Sequence, residues 1–161
     1  MNKGIFFIPV NDQNKKNDVL LDEIISQTLN AEKWGINEAF FGEHITDKHE
    51  KISSSLSMIS ALSHLTKKIK LGTLTTNLNF FNPATISAIV SQVDNLSKGR
   101  LMLGVGSGAN RSDVEAVDML EKDNHKIMLE ILAILKKIFY EDDGIDINTE
   151  NFKVSTKKSF N

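Results

Sequence analysis

The chain lacks cysteine, and its 161 residues include only two prolines, one tryptophan and one tyrosine. Without cysteine it forms no disulfide, binds no zinc ion or iron–sulfur cluster through thiolates, and uses no cysteine nucleophile. The longest apolar run near the N-terminus, Ile5 to Val10, is interrupted by Pro9 and is too short for a membrane span or a secretory signal. These absences predict a cytoplasmic protein with no membrane partner.

Neither sign of charge dominates the sequence. The chain has 19 Lys plus Arg against 21 Asp plus Glu, a formal net charge of -2. This balance creates no field that would attract nucleic acid, so no nucleic-acid partner is expected. No pair of its four histidines has metal-ligand spacing on a helix face, so no metal site is expected, and His49, His64 and His125 fall in polar or exposed positions.

Strand and helix signals alternate along the chain. Short β-branched and aromatic runs lie at Ile5–Val10, Ala39–Phe41, Ile69–Thr75 and Leu101–Val105. Helical patterns run from Asp18 to Trp34, from the Ser53–Ser55 cluster onward, from the Asn82-Pro83 pair to Gly99, and from Asn124 to Phe139. The spacing predicts four consecutive βα units of a parallel α/β sheet with right-handed crossovers.

Chain length distinguishes between two parallel α/β architectures, an open doubly wound sheet and a (β/α)8 TIM barrel. Eight units of about 32 residues would need about 256, close to the usual barrel length of roughly 250. Residues 1–140 are therefore predicted to be the first four βα units of a barrel, and residues 141–161 a tail or hairpin excursion of a truncated chain. Half a barrel leaves sheet edges open, so we expect a homo-oligomer or a missing C-terminal half.

The residues that follow each strand are the first candidates for a site, because parallel α/β sheets bind ligands at the carboxyl ends of their strands. Glu43 and His44 come directly after the second predicted strand. A histidine in this position can transfer a proton near neutral pH, and Glu43 could orient or tune it. The alternative is that the two side chains point to opposite faces and one merely caps the loop.

Two further loops could contact a ligand. After the fourth strand, the sequence from Gly104 to Ala109 contains three glycines whose backbone amides could approach an anion or a flat ring, or which simply let the chain turn. It superficially fits a dinucleotide fingerprint but follows the fourth strand, which disfavours a nicotinamide cofactor. After the third strand, Thr73 to Asn77 followed by Phe80 and Phe81 suits a wall against a ring system, or an ordinary loop.

Three segments taken together resemble the bacterial luciferase-like flavin monooxygenase family. They are Ala31–Gly35 through Phe41–His44, Ile69–Thr73, and Asp94–Leu101 with Gly104–Gly106. The stretch from Gly106 to Ala109 with Ser112-Asp113 is similar to the limonene monooxygenase-like subgroup, and the resemblance extends to about Val154. It implies a (β/α)8 TIM barrel that binds reduced FMN, or in a sister group the deazaflavin F420, at the strand carboxyl ends.

The resemblance also implies roles for particular residues. His44 matches the family's catalytic histidine, and Glu43 matches the glutamate that precedes it at the cofactor site. Leu74-Thr75 falls where family members have a non-prolyl cis peptide bond behind the flavin ring. A second histidine common in the family is absent, since Ile45 follows His44.

The glycine-rich loop has its own counterpart in the family. Gly106 and Ser107 match the loop beside the flavin and its phosphate. Luciferase-type members carry arginine at the position of Ser107, so a charge-assisted phosphate contact is absent here.

Three functions follow as hypotheses. The first is a monooxygenase that takes reduced FMN from a separate flavin reductase and inserts one atom of O2 into an apolar organic substrate. The second is an F420-dependent hydride-transfer oxidoreductase on the same scaffold. The third is a catalytically inert half barrel.

Overall fold

A computed structural model describes residues 1–8, 10–11, 15–141 and 144–157. The strands are β1 Gly4–Phe7, β2 Glu38–Phe41, β3 Lys70–Thr73, β4 Thr76–Asn77, β5 Leu101–Met102, β6 Val105–Gly106, β7 Asp146–Asn148 and β8 Lys153–Ser155. The helices are α1 Asn17–Lys33, α2 Ser55–Leu65, α3 Pro83–Ser97, α4 Arg111–Ala116 and α5 Asn124–Tyr140, with a 3-10 turn at Leu78–Phe80. The chain divides into a first unit, Met1–Thr76 with Val93–Val105, and a second unit, Asn77–Gln92 with Gly106–Asn161.

The first unit contains a parallel four-stranded sheet in the order β1-β2-β3-β5. Ile5 lies opposite Ala39, which in turn lies opposite Leu71, and Leu71 lies opposite Leu101. The first strand is therefore at an edge of the sheet, whereas a doubly wound fold has it in the interior. The order agrees with the four consecutive βα units predicted from the sequence.

Aromatic packing holds the sheet together. The rings of Phe7 and Phe41 stack with centroids 5.3 Å apart, and Phe41 is completely buried. A Cβ added at Gly72 would lie only 2.5 Å from the Phe40 ring, so glycine makes room for that ring in the neighbouring strand. Each buried aromatic side chain of this kind contributes about 1.5–3 kcal/mol.

The four predicted helices are confirmed as α1, α2, α3 and α5. Each predicted helix end agrees with the structure to within about two residues. Helix α1 buries a stripe made of Leu20, Ile24, Thr28 and Ala31. Helix α2 begins after Ser54, whose hydroxyl accepts a hydrogen bond from the Ser57 amide. Helix α3 begins at Pro83, and the predicted cap Asn82 accepts a bond from the Ala84 amide at 3.0 Å.

The predicted continuous strand Leu101–Val105 is wrong, because the chain leaves the sheet at Met102. The carbonyl of Gly104 instead accepts hydrogen bonds from the Thr76 amide at 2.9 Å and the Thr73 hydroxyl at 2.7 Å. The strand predicted for Ile5–Val10 likewise ends at Phe7, and Pro9 lies outside the described residues.

The second unit has its own apolar cluster. Strands β7 and β8 form an antiparallel hairpin with Ile147 opposite Val154. These two residues pack with Ile145 and with Ile134 and Ile138 of α5. The hairpin lies within the predicted tail, of which residues 142–143 and 158–161 lie outside the described residues. Helix α4 was not predicted; Asn110 caps it by accepting from the Ser112 amide at 3.0 Å.

A carboxylate ties α1 to the loop that leads into β3. Oε1 of Glu32 accepts the backbone N–H groups of Lys67, Lys68 and Ile69 at 2.9, 2.6 and 2.9 Å. Burial raises the Glu32 pKa, but these three donors and the charge of Arg100 outweigh it, so the pKa lies below its usual value of 4.5. The loop is therefore anchored by an ionised group.

Replacing Glu32 with glutamine is expected to lower the free energy of unfolding by about 1 kcal/mol near neutral pH, a value discounted for solvent screening. Because the folded-state pKa is depressed, the charge stabilises the fold above pH 4.5 and loses this effect as pH falls through the folded pKa. Urea unfolding of the original protein and the Glu32→Gln variant should show that the difference in their free energies of unfolding shrinks as pH falls below 4.5. A difference that stays constant into strong acid would contradict the role of the charge.

Candidate functional site

The loops after β2 and β3 meet at the carboxyl ends of the parallel strands, which we call the carboxyl edge. The Leu74 amide donates to the Phe41 carbonyl at 2.9 Å, and a Cβ added at Gly42 would lie 3.7 Å from the Leu74 carbonyl oxygen. Because Glu43 and His44 follow Gly42, and Thr75 follows Leu74, the structure brings four of the six predicted site residues to this carboxyl edge.

Glu43 holds the start of helix α2. Its Oε2 accepts the Ser55 amide at 2.8 Å and the Ser55 hydroxyl at 2.6 Å. The Ser55 hydroxyl is also 3.4 Å from the Thr76 hydroxyl, beyond the end of β3. A carboxylate at a helix N-terminus is favoured by the helix dipole. Glu43 thus fixes the geometry of the loop that contains His44.

His44 faces a different carboxylate. Its Nε2 is 3.5 Å from Oε2 of Glu50, and the two side chains are 29% and 25% exposed. The His44 amide donates to the Ile52 carbonyl at 3.0 Å, which fixes the backbone behind the imidazole. The ring is therefore positioned, partly open to solvent, and paired with an acidic group, as a proton-transferring histidine requires.

Glu50 was not identified from the sequence. It lies six residues beyond His44 in a polar loop, a spacing that no helix or strand pattern connects. Asp47 organises the same loop: the His49 N–H, 2.7 Å away, lowers its pKa against the opposing effect of burial, with help from the Glu50 N–H and the charges of His49 and His44. The acidic and imidazole groups of residues 44–50 form one electrostatic cluster.

The Leu74–Thr75 peptide bond is cis, as the sequence resemblance implies. Leu74 is 44% exposed, and the ring of Phe6, itself 43% exposed, lies 3.6 Å from a Cβ added at Gly42. The carboxyl edge thus presents apolar side chains beside a half-exposed histidine. This combination fits a flat, largely apolar ring with a reacting edge, such as a flavin.

The glycines of the Gly104–Ala109 loop serve different purposes. A Cβ at Gly104 would collide with the carbonyl oxygen of Thr73, so this glycine accommodates the protein's own backbone. In the second unit, Gly108 has φ +78°, and a Cβ there would lie 3.0 Å from the Phe80 ring. Gly106 and Ser107 are half-buried in that unit and remain the candidates for a phosphate contact.

The loop after β4 contains an unsatisfied acceptor. Asn79 is 7% exposed, and its amide nitrogen donates to Oδ1 of Asn124 at 3.1 Å. Its Oδ1 is buried and has no hydrogen-bond partner in the described part of the chain. A buried acceptor without a partner is costly in a protein interior, so this atom suits a water or a polar ligand group.

Other candidate sites are not supported. His64 and His125 are exposed and His49 is half-buried. Within residues 1–8, 10–11, 15–141 and 144–157, no three acidic or imidazole side chains converge as they would around a metal ion. Across the same described residues, no helix is both long enough and apolar enough to cross a membrane.

Comparison with known proteins gives relatives with named activities. The chain is 28% identical over 123 residues to the 4-hydroxyprotoasukamycin monooxygenase of Streptomyces nodosus, which covers 76% of this chain and 33% of that protein. It resembles a type II Baeyer-Villiger monooxygenase, the oxygenating constituent of 3,6-diketocamphane monooxygenase from Pseudomonas putida in complex with FMN. The TM-score is 0.90 at 22% identity, over 96% of this chain and 43% of that one.

An F420-dependent secondary alcohol dehydrogenase, solved with an F420-acetone adduct, also shares the fold. Its TM-score is 0.75 at 17% identity, over 99% of this chain and 47% of that one. These likenesses confirm the predicted fold class, the first part of a (β/α)8 TIM barrel. The chain spans about a third of the length of the curated relative and less than half of each structure. The family model described as luciferase-like monooxygenase matches residues 1–158, so the chain belongs to the luciferase-like monooxygenase family.

Proposed function

We propose that the barrel to which this chain contributes is a flavin-dependent monooxygenase that uses reduced FMN and O2 to insert one oxygen atom into an apolar organic substrate. The observation that carries the proposal is the carboxyl edge of the sheet. There the loops that carry His44 and Leu74 meet, and the side chains of Phe6 and Leu74 are exposed. The FMN-bound relative of similar fold supports the choice of flavin.

Each predicted site residue has a proposed task. Leu74 and Thr75 would support the flavin ring, and Gly106 with Ser107 would lie beside its phosphate. When bound, reduced FMN supplies the two electrons that activate O2. His44 would hold or deliver a proton, and Glu50, 3.5 Å from Nε2, would keep the ring oriented. Glu43 contributes to the cofactor site through its bonds to Ser55, which fix the loop between β2 and α2.

The proposal includes partners. A separate flavin reductase would supply reduced FMN, as the family resemblance implies. A second copy of the chain, or the remaining strands of the barrel, would complete the ring of strands. Within the described residues, the four strands of this sheet, β1, β2, β3 and β5, pair only with one another.

Anaerobic titration of the full chain with reduced FMN and with reduced F420 tests the cofactor, and labelled O2 tests the reaction. We expect saturable FMN binding and transfer of one labelled oxygen atom to an apolar ketone or alkene. If no assembly of the chain binds either flavin, the proposal is contradicted and an inert half barrel is favoured.

Hydride transfer with F420 is the second candidate, and the F420-dependent dehydrogenase of similar fold favours it. The two functions differ in their use of O2: an F420 enzyme would reduce or oxidise its substrate anaerobically, with no labelled oxygen in the product. Saturable F420 binding without FMN binding would support this candidate.

Replacing Ser107 with arginine is expected to tighten FMN binding by about 5- to 150-fold, the effect of roughly 1–3 kcal/mol from a charge-assisted, bidentate phosphate contact. Fluorescence quenching of FMN on the assembled protein measures the affinity. The control for added charge is Ser112→Arg, beside Arg111 at the exposed start of α4. This variant should leave the affinity for FMN unchanged. Unchanged or weaker binding by the Ser107 variant would show that this loop does not face the phosphate.

A further inference from the structure

A basic cleft lies at the amino ends of the parallel strands, opposite the carboxyl edge where His44 lies. Its volume is about 480 Å³. The end of α2, the loop into β3 and the turn into β5 form its walls. Five of its lining residues can carry positive charge, and none of the lining residues is acidic: His64, Lys67, Lys68, Lys98 and Arg100. We refer to this cavity as the basic cleft.

The lysines of the basic cleft have no acidic partner among the residues that the structure describes. Lys67, Lys68 and Lys98 form no ion pair within the described ranges of the chain, and all three are exposed. Elsewhere the structure does neutralise lysines: Lys15 pairs with Glu23 at 2.7 Å and Lys126 pairs with Glu150 at 2.6 Å. The cleft therefore concentrates positive charge in a chain whose formal net charge is -2.

Glu32 lies beside the cleft but does not neutralise its ammonium groups through hydrogen bonds. Its Oε1 is occupied by three backbone N–H groups, those of Lys67, Lys68 and Ile69. Because the main chain of this loop is held, the side chains of Lys67 and Lys68 extend from a fixed segment. The loop presents its charges to solvent on a defined scaffold.

Arg100 belongs to the scaffold of the cleft. Its guanidinium donates to the carbonyls of Ser97, Ile69 and Ser63 at 2.7, 2.9 and 2.8 Å, and to the Thr66 hydroxyl at 2.8 Å. With these donors committed to the protein, Arg100 joins the end of α2 to the turn before β5. It adds positive potential to the floor of the cleft without needing a ligand to satisfy it.

The backbone at Lys98 offers a way to test the lysine without damaging the fold. Lys98 has φ +59° at the end of α3, a left-handed conformation that favours glycine or asparagine. The next residue, Gly99, also has a positive φ, and the two amides close the helix by donating to the carbonyls of Asn95 and Asp94. A lysine here costs stability that asparagine would not.

We propose that the basic cleft binds a small polyanion with two linked phosphate groups. Its volume is that of a small-molecule site, and its ammonium groups come from two separate loops, so a diphosphate can contact both loops. The diphosphate could be free or part of a nucleotide. Binding takes place at the amino ends of the strands, away from the carboxyl edge. It therefore does not depend on the proposed function.

Calorimetric titration of the full chain with inorganic pyrophosphate at low ionic strength tests the proposal. We expect one saturable site, weakened about two- to five-fold by Lys98→Asn and further by the double change Lys67→Gln with Lys98→Asn. Lys98→Asn should at the same time raise the melting temperature, because asparagine tolerates the left-handed conformation. Loss of affinity with a gain of stability separates a ligand contact from damage to the fold.

The matched control is Lys126→Gln, which removes one positive charge far from the cleft in sequence and should leave the affinity unchanged. Titration with ADP distinguishes a nucleotide from free pyrophosphate: tighter binding of ADP assigns a site for the nucleoside, and equal binding assigns the diphosphate alone. Three results would overturn the proposal: no saturation by either compound, equal weakening by Lys126→Gln and Lys98→Asn, or saturation by an acidic peptide but not by pyrophosphate.

Discussion

Replacing His44 with alanine is expected to lower turnover of the FMN-loaded, assembled enzyme by about 10²- to 10⁴-fold, the range for loss of a general acid or base. Flavin affinity and melting temperature should change little. The backbone contact of His44, its amide to the Ile52 carbonyl, survives the substitution and continues to fix the loop. Steady-state kinetics and thermal unfolding of the same preparations measure the two quantities.

His49→Ala is the matched control, since His49 lies in the same loop and its contact with Asp47 is made by the backbone amide. The control should retain turnover. If His44 merely caps the loop, truncation should cost stability and spare the turnover of each folded molecule, which is the reverse pattern. Parallel losses of folding and activity would defeat the catalytic assignment. If no assembly of the chain is active, the inert half barrel becomes the better interpretation.

The sequence predicts the sheet well because its information is local and repeated. Each strand is a short apolar run followed by an amphipathic helix, so the regular spacing predicts the parallel βα units, and chain length favours the sequential order seen in β1, β2, β3 and β5. Caps add precision at particular ends, as at Asn82 before α3. The cis bond at Leu74–Thr75 was placed through the family resemblance, since local propensity contains no signal for it.

The errors in the sequence prediction occur where distant residues decide the conformation. Leu101–Val105 is apolar enough for one strand, yet hydrogen bonds from Thr73 and Thr76 to Gly104 interrupt it, about 30 positions away in the chain. The partner of Glu43 proves to be Ser55, and the partner of His44 proves to be Glu50. Which acidic group faces a histidine depends on how a loop closes, and neither periodicity nor spacing reports that.

Replacing Arg100 with methionine is expected to lower the free energy of unfolding by about 3–5 kcal/mol, among the larger effects of single substitutions. Methionine keeps much of the apolar stem but removes every donor. Five acceptors then lose their partner, and the four residues that carry them, Ser63, Thr66, Ile69 and Ser97, are all buried. Urea unfolding at fixed protein concentration measures the loss, because the assembly state affects apparent stability.

Arg100→Lys separates the charge of the side chain from its geometry. An ammonium keeps the positive charge but donates from a single atom, so it cannot reach acceptors that the fork of a guanidinium spans, and less than half of the loss should be recovered. The matched control is Arg111→Met at the exposed start of α4, where a change within about 0.5 kcal/mol is expected. Full recovery by lysine would show that Arg100 acts through its charge on Glu32 and the basic cleft. Equal losses at positions 100 and 111 would show that the hydrogen bonds to α2 contribute nothing specific, and the joint between α2, β3 and β5 would then depend on apolar packing alone.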